Sequence, residues 1–385
     1  MQIKKSKYLF FYHRNFPDIS INNLINEDLA LTNQIVAIPI LYGKEVIISK
    51  EEFEYVNNIK ETEWIYVEDF QHPNLLKYGL VLCDLPEFEL FVKREEQLVN
   101  DKWHIYAALY NFMTKWKDID VNFVEKNVML NPKEEMEVLI DLNGVPPTHF
   151  FKVENPKEIK KISYDDYSND DFFKVLLNRK TARNFDTNKQ LSFKDFSNIL
   201  KYTFGVHGYC NTYGDKIKSV KKTSPSGGGL HPTEVYMLVL RVENLKHGLY
   251  HYNIEDESLY MIKEYTLEEA MEKSRFFSAG QEYTSFSSVM FFLATRYYRN
   301  YWKYRKNSAA YGVTIRDAAH LCQTLYLICS KLGLGSFTAA INHSNIEEEI
   351  GLDPYKQGVV MMAGCGIMNP TPKIDLEPKF DSYLD

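Results

Sequence analysis

Several common features are missing from this sequence of 385 residues, and each absence removes a class of function. No uninterrupted apolar run approaches the roughly 20 residues that a bilayer crossing needs. The N-terminal segment Met1 to Tyr8 carries lysines but no signal-type apolar core, so a cytoplasmic setting with no membrane association is expected. The cysteines are five, an odd number, and none forms a Cys-x-x-Cys pair, so neither a disulfide framework nor a zinc site is suggested. No basic excess exists either: the formal net charge is −7, which argues against a general nucleic-acid binder. Internal repeats and low-complexity tracts are absent.

What is present is a loop, Thr223-Ser-Pro-Ser-Gly-Gly-Gly-Leu-His-Pro232, that feeds the strand-like run Thr233 to Val242. Three successive glycines strip the backbone of side chains, so a flat ligand can lie against it. The flanking prolines stiffen the segment, and Ser226 adds a hydroxyl. No Gly-Lys-Ser/Thr follows the glycines, and a strand rather than a helix comes next. Neither common phosphate loop is therefore present.

Residues 1–95 read as a small mixed module with winged-helix character. Ile35 to Leu41 and Glu45 to Ile48 are strand-like around a turn at Tyr42 to Lys44. Ser49 and Glu52 form a capping box for a helix through Ile59. Residues 96–165 hold an apolar helix between Trp103 and Trp116, then a polar connector that includes 131–135. Residues 166–385 alternate helices with buried strands. Ser168 or Asn169 caps one helix and Ser192 another. Runs 235–242, 288–295 and 358–366 are almost wholly apolar, as strands covered on both faces are. A helical stripe runs from Ile315 to Leu332 and stops at Gly333. His320 on that helix reads as a buried histidine, and Cys322 and Cys329 as small core residues.

Arg179-Lys180-Thr181-Ala182-Arg183 offers several anion donors within five residues, although a solvated charge cluster is the other reading. Taken in order, Arg179-x-Thr181-x-Arg183, the 225–232 loop, Gly248 to Tyr252, Tyr301 to Arg305, Arg316 to Gln323 and Leu332 to Ser336 resemble the flavin-dependent nitroreductase superfamily. The sequence is most similar there to the SagB-type dehydrogenases, over roughly residues 100–370.

That resemblance implies an α+β fold, with a nitroreductase-like sheet flanked by helices and a peptide-binding N-terminal module. It also implies a homodimer with FMN between subunits. Arg179, Thr181 and Arg183 would hold the phosphate and ring. Pro225, Ser226, Gly227 and Gly228 would approach the ring from the other subunit, and the backbone near Gly335, Ala340 and Ile341 would pass the flavin. Thr181 stands where serine is usual and keeps the hydroxyl. Lys303 and Tyr304 match the lysine-tyrosine pair of azoline-oxidising members, with Lys303 as the base and Tyr304 orienting it or sharing the proton.

The activity implied is oxidation of thiazoline or oxazoline rings in a ribosomally made precursor peptide, alongside a cyclodehydratase partner. Two alternatives stay open on the residues alone. One is an NAD(P)H-dependent reductase of dehydroamino acids or nitro compounds, and the other is a non-catalytic scaffold.

Overall fold

The computed structural model describes residues 1–17, 31–121, 169–212, 216–305 and 307–370, with parts of 137–167. The connector at 131–135 and the candidate cap Ser168 lie outside the described residues. The N-terminal part contains β1 (Gln2–Lys5), β2 (Leu9–Pro17), β3 (Leu31–Pro39), β4 (Val46–Ile48), α1 (Lys50–Asn58) and β5 (Ile65–Tyr66). It continues with α2 (Pro73–Lys77), β6 (Val81–Cys83), α3 (Glu89–Asn100) and α4 (Ile105–Met113). Next come α5 (Asp171–Asn178), α6 (Phe193–Phe204), β7 (Gly208–Thr212), β8 (Ile217–Lys221), β9 (Thr233–Val239), β10 (Gly248–Asn253) and β11 (Ser258–Glu264). The chain then forms α7 (Leu267–Phe277), β12 (Val289–Arg296), α8 (Tyr297–Tyr304), α9 (Ala310–Lys331), β13 (Gly335–Thr338), α10 (His343–Ile350) and β14 (Gln357–Gly366).

The fold is α+β. Its main sheet has the order β11-β10-β9-β12-β14-β13, and every neighbouring pair is antiparallel. The alternation of strand side chains explains the apolar runs. Val235, Met237 and Val239 of β9, with Phe291 and Leu293 of β12, point into one core beneath α6 and α9. Leu238 and Leu240, with Met290, Phe292 and Ala294, point into the other, beneath α7 and α10. Both faces are covered, so the middles of the two strands are apolar, and the polar residues Thr233, Glu234, Thr295 and Arg296 gather at one end.

The N-terminal part forms two small antiparallel sheets, β5-β1-β6 and β2-β3-β4, over a separate core. The Ser49 and Glu52 capping box starts α1 as expected. Helix α3 runs through residue 95. A further cluster joins Tyr8, Leu41 and Leu98 to Trp103 and to Tyr297, Tyr301 and Tyr311, so the N-terminal part shares a core with α8 and α9.

Two local expectations are corrected. The cap of α5 is Asp170, whose carboxylate accepts the amides of Phe172 and Phe173, because an ionised side chain satisfies two first-turn donors where Asn169 satisfies none. His320 is exposed, since it falls off the stripe of α9 that carries Ala318, Leu321 and Leu325 into the core. Among the described residues no helix is long and apolar enough to cross a membrane.

Gly364 of β14 leaves room for the buried Phe337 ring; a Cβ there would sit 2.3 Å from its Cζ. Gly364→Ala is therefore expected to lower the unfolding free energy by about 1–3 kcal/mol, measured by urea denaturation.

Candidate functional site

The glycine loop is fixed by α9. Asp317, 3% exposed, accepts the Ser226 hydroxyl through Oδ2 at 2.6 Å and the Gly227 amide through Oδ1 at 2.9 Å. Ser226 Oγ in turn accepts the His231 amide at 2.9 Å, closing the loop on itself. Next to it, the Ser224 and Thr324 hydroxyls lie 2.6 Å apart. Gly228 (φ 63°) and Gly229 (φ 66°) occupy the left-handed region that glycine tolerates without strain.

Lys303 and Tyr304, at the end of α8, come up against this loop. The Lys303 ammonium donates to the Gly228 carbonyl at 3.4 Å. A Cβ on Gly228 would fall 2.7 Å from Lys303 Nζ, and one on Gly227 would fall 2.2 Å from Val313 Cγ1 and 3.3 Å from the Tyr304 hydroxyl. Two of the glycines are thus required by the approach of α8 and α9. Lys303 is exposed, so one chain alone does not bury it. It lines a cavity of about 660 Å³ that also includes Gly228, Gly229, Trp302 and Tyr298.

Behind the loop, a small cavity lined by Pro225 and Ser226 also contains Lys222, His231 and Asp317. Burial holds the Lys222 ammonium down to about 8. Burial, reinforced by the Lys222 charge, holds His231 down to about 4, so its imidazole is neutral at pH 7.

Arg179, Thr181 and Arg183 gather elsewhere. Thr181 pairs with Ser336 of β13 in a parallel bridge, and the Ala182 amide donates to the Ser336 carbonyl at 2.9 Å. Gly335 permits this contact, because a Cβ there would meet Ala182 Cβ at 2.5 Å. The Thr181 hydroxyl lies 3.3 Å from that of Tyr326, and the Arg179 guanidinium lies over the Tyr326 ring. Arg183 lies over Tyr283 and lines a cavity with Ala340, Ile341, Val360 and Met361. Among the described residues no carboxylate lies within ion-pair distance of Arg179 or Arg183, and the Ala340 amide has no protein partner.

The expected residues therefore fall into two groups. Pro225, Ser226, Gly227, Gly228, Lys303 and Tyr304 form one, and Arg179, Thr181, Arg183, Gly335, Ala340 and Ile341 the other. Helix α9 links them, touching the first through Asp317 and the second through Tyr326. Nine residues of α-helix separate those two anchors by about 14 Å. Asp317 stands in the motif from Arg316 to Gln323 without an assigned role, and Tyr326 and Tyr283 lie outside the quoted motifs. For Asp317 a signal existed: it is an acid on a helical face otherwise carrying Thr314, Ala318 and Leu321.

The site thus consists of an arginine pair at the β13 edge of a two-sided antiparallel sheet and a glycine loop pinned by α9. Residues 176–367 match the model of the nitroreductase family, and this part of the chain belongs to that family. The chain is 26% identical over 176 residues to a Methanocaldococcus jannaschii protein assigned as a nitroreductase, covering 46% of this chain and 81% of the relative. It is 25% identical over 244 residues to the trifolitoxin-processing protein TfxB of Rhizobium leguminosarum bv. trifolii, covering 61% of this chain and 63% of that protein. A chain of the Escherichia coli microcin synthetase McbBCD complex, solved with truncated pro-MccB17 bound, aligns with a TM-score of 0.46 and 16% identity. That alignment covers 79% of this chain and 99% of the other.

Asp317→Ala removes an ionised acceptor shared by two donors and should lower stability by about 2–3 kcal/mol, read by urea denaturation. The His231 environment predicts a pH effect. Its folded pKa lies below the unfolded value, so the unfolded chain binds more protons and stability falls as pH drops from 6.5 toward 4. His231→Asn should flatten that slope by about 2 kcal/mol over the window, after allowance for its partial exposure.

Proposed function

We propose that the chain is an FMN-dependent dehydrogenase that oxidises thiazoline or oxazoline rings to thiazoles or oxazoles in a ribosomally made precursor peptide. The observation that carries this reading is the approach of Lys303 and Tyr304 to the glycine loop, across 75 residues of sequence. Loop and dipeptide are each unremarkable alone; together they place an amine and a phenol beside a bare stretch of backbone.

The donor set fits FMN. Arg179 and Arg183 lack carboxylate partners among the described residues and suit a phosphate. The Thr181 hydroxyl and the Ala340 amide supply further donors, and Val360 and Met361 give an apolar wall suited to a flat ring. A bound flavin supplies the two-electron acceptor for dehydrogenation. The protein's own task is the proton. Aromatising the ring removes a proton from carbon, and the Lys303 amine, when unprotonated, accepts it at Nζ. Tyr304, with its hydroxyl toward Gly227, orients that amine or shares the proton.

The two groups of residues line separate cavities of one chain, which favours a homodimer in which each subunit lends one group to the other's cofactor. Helix α5 supports the same arrangement: Phe172, Phe173, Leu176 and Leu177 are all left exposed in a single chain. The similarity to a trifolitoxin-processing protein supports a peptide substrate. Among the described residues, β2, β4, β5 and β6 are the edge strands of the N-terminal sheets, which suits pairing with a leader-peptide strand, and a cyclodehydratase would supply the azoline.

Purified protein should be yellow and release FMN on denaturation. Arg179→Ala with Arg183→Ala should weaken FMN retention at least about tenfold, since each arginine contributes a charge-assisted contact. Lys303→Ala should stay yellow yet lose at least about a hundredfold in azole formation, followed by mass spectrometry as the loss of two hydrogens per ring. Full azole formation by Lys303→Ala would remove the base from this mechanism, and a protein that cannot be reconstituted with FMN would remove the function.

A further inference from the structure

The cavity at Lys303 is cationic in a chain whose net charge is −7. Its walls carry Lys218, Arg296, Arg299, Lys303 and Lys356 against one acid, Asp101. Internal pairing leaves much of that charge open. Arg296 is held by Glu234 at 2.9 Å, and Lys356 lies 3.7 Å from Asp353. Asp101 is engaged by the Gln97 amide, at 2.5 Å. Lys218, Arg299 and Lys303 have no carboxylate within ion-pair distance among the described residues. Lys218 lies over the Tyr209 ring, and Arg299 spends only Nε, on the Leu230 carbonyl at 2.6 Å. Between these cations, Trp302 and Tyr298 present faces that are 50% and 47% exposed.

Three cations with no carboxylate at ion-pair distance among the described residues, beside two exposed aromatic side chains, form a complementary surface for carboxylates flanked by apolar side chains. We infer that this cavity binds an acidic peptide segment, so that the substrate carries Asp or Glu with aromatic or aliphatic neighbours close to the ring that is oxidised. The inference rests on the reading of Lys303 as the substrate-facing base. The side chains that set the preference are Lys218 and Arg299, outside the proton-transfer pair.

The test uses the full-length, flavin-loaded protein and a fluorescein-labelled hexapeptide with two aspartates between two phenylalanines. Its control is the same peptide with asparagine for aspartate. Neither probe contains cysteine, serine or threonine, so nothing can be oxidised and binding is read apart from azole formation. Failure of the proposed function and failure of this inference are thereby distinguishable. By fluorescence anisotropy at low salt, the aspartate peptide should bind at least about tenfold more tightly than the asparagine peptide, and the gap should shrink as salt rises. Lys218→Gln, at an exposed position that leaves folding intact, should narrow the gap, and adding Arg299→Gln should close it. Arg299→Lys, which keeps the charge, should retain most of it. Equal binding of the two peptides, or a gap unchanged in the double variant, overturns the inference. Displacement of the aspartate peptide by equimolar NADPH would also overturn it, assigning the cations to a nucleotide phosphate instead.

Discussion

The geometry around the glycine loop depends on one carboxylate, Asp317, buried on the apolar stripe of α9. Removing a charge from water is unfavourable unless donors replace the lost hydration. Here the replacement comes from the Ser226 hydroxyl and the Gly227 amide, both in the loop. A segment with three glycines has large conformational entropy to lose, and the buried acid offsets it by selecting one loop conformation. That conformation exposes the Gly228 carbonyl to Lys303 and leaves just enough space at Gly227 for Tyr304 and Val313. The pinned loop is the surface against which the proposed base is set.

The helix that carries Lys303 is held from its other side by aromatic packing. Tyr297 and Tyr301, on the buried side of α8, pack against Trp103 with ring centroids 4.6 and 4.9 Å away. The hydroxyls of Tyr297 and Tyr311 both donate to Asn111 Oδ1 at 2.9 Å. Nearby, the buried Lys115 ammonium donates to Glu347 Oε1 at 2.6 Å, and the same oxygen accepts the Val359 amide at 2.8 Å. These contacts tie the segment after the N-terminal module to α8 and β14. The same cluster includes Tyr8 and Leu41 of the N-terminal part, so that part packs directly onto the helix that carries Lys303.

Much of the fold was legible because it rests on local rules. The capping box at Ser49 and Glu52, the Ser192 cap, the hairpin of β10 and β11 and the long stripe of α9 all follow from side-chain chemistry within a few residues. The apolar runs announced strands covered on both faces, though not their antiparallel pairing, because two-sided burial erases the alternation that would mark direction. His320 was misread for a related reason: a helix four residues wide in its apolar stripe leaves the neighbouring position exposed, and one residue of phase decides which.

The chemistry available is written in short stretches of residues: arginines with a threonine at 179–183, bare backbone at 227–229, an amine and a phenol at 303–304, and the family they resemble. Which of these groups meet depends on how distant segments pack. Gly228 and Lys303 are neighbours because β12 delivers α8 to the start of β9, where the loop ends. Arg179 and Tyr326 meet because α5 lies on the far part of α9. The cationic lining at Lys218, Arg296, Arg299 and Lys356 draws on residues up to 138 positions apart, counted from 218 to 356. No short-range pattern encodes such a gathering, since it exists only once the sheet has closed and the helices have packed.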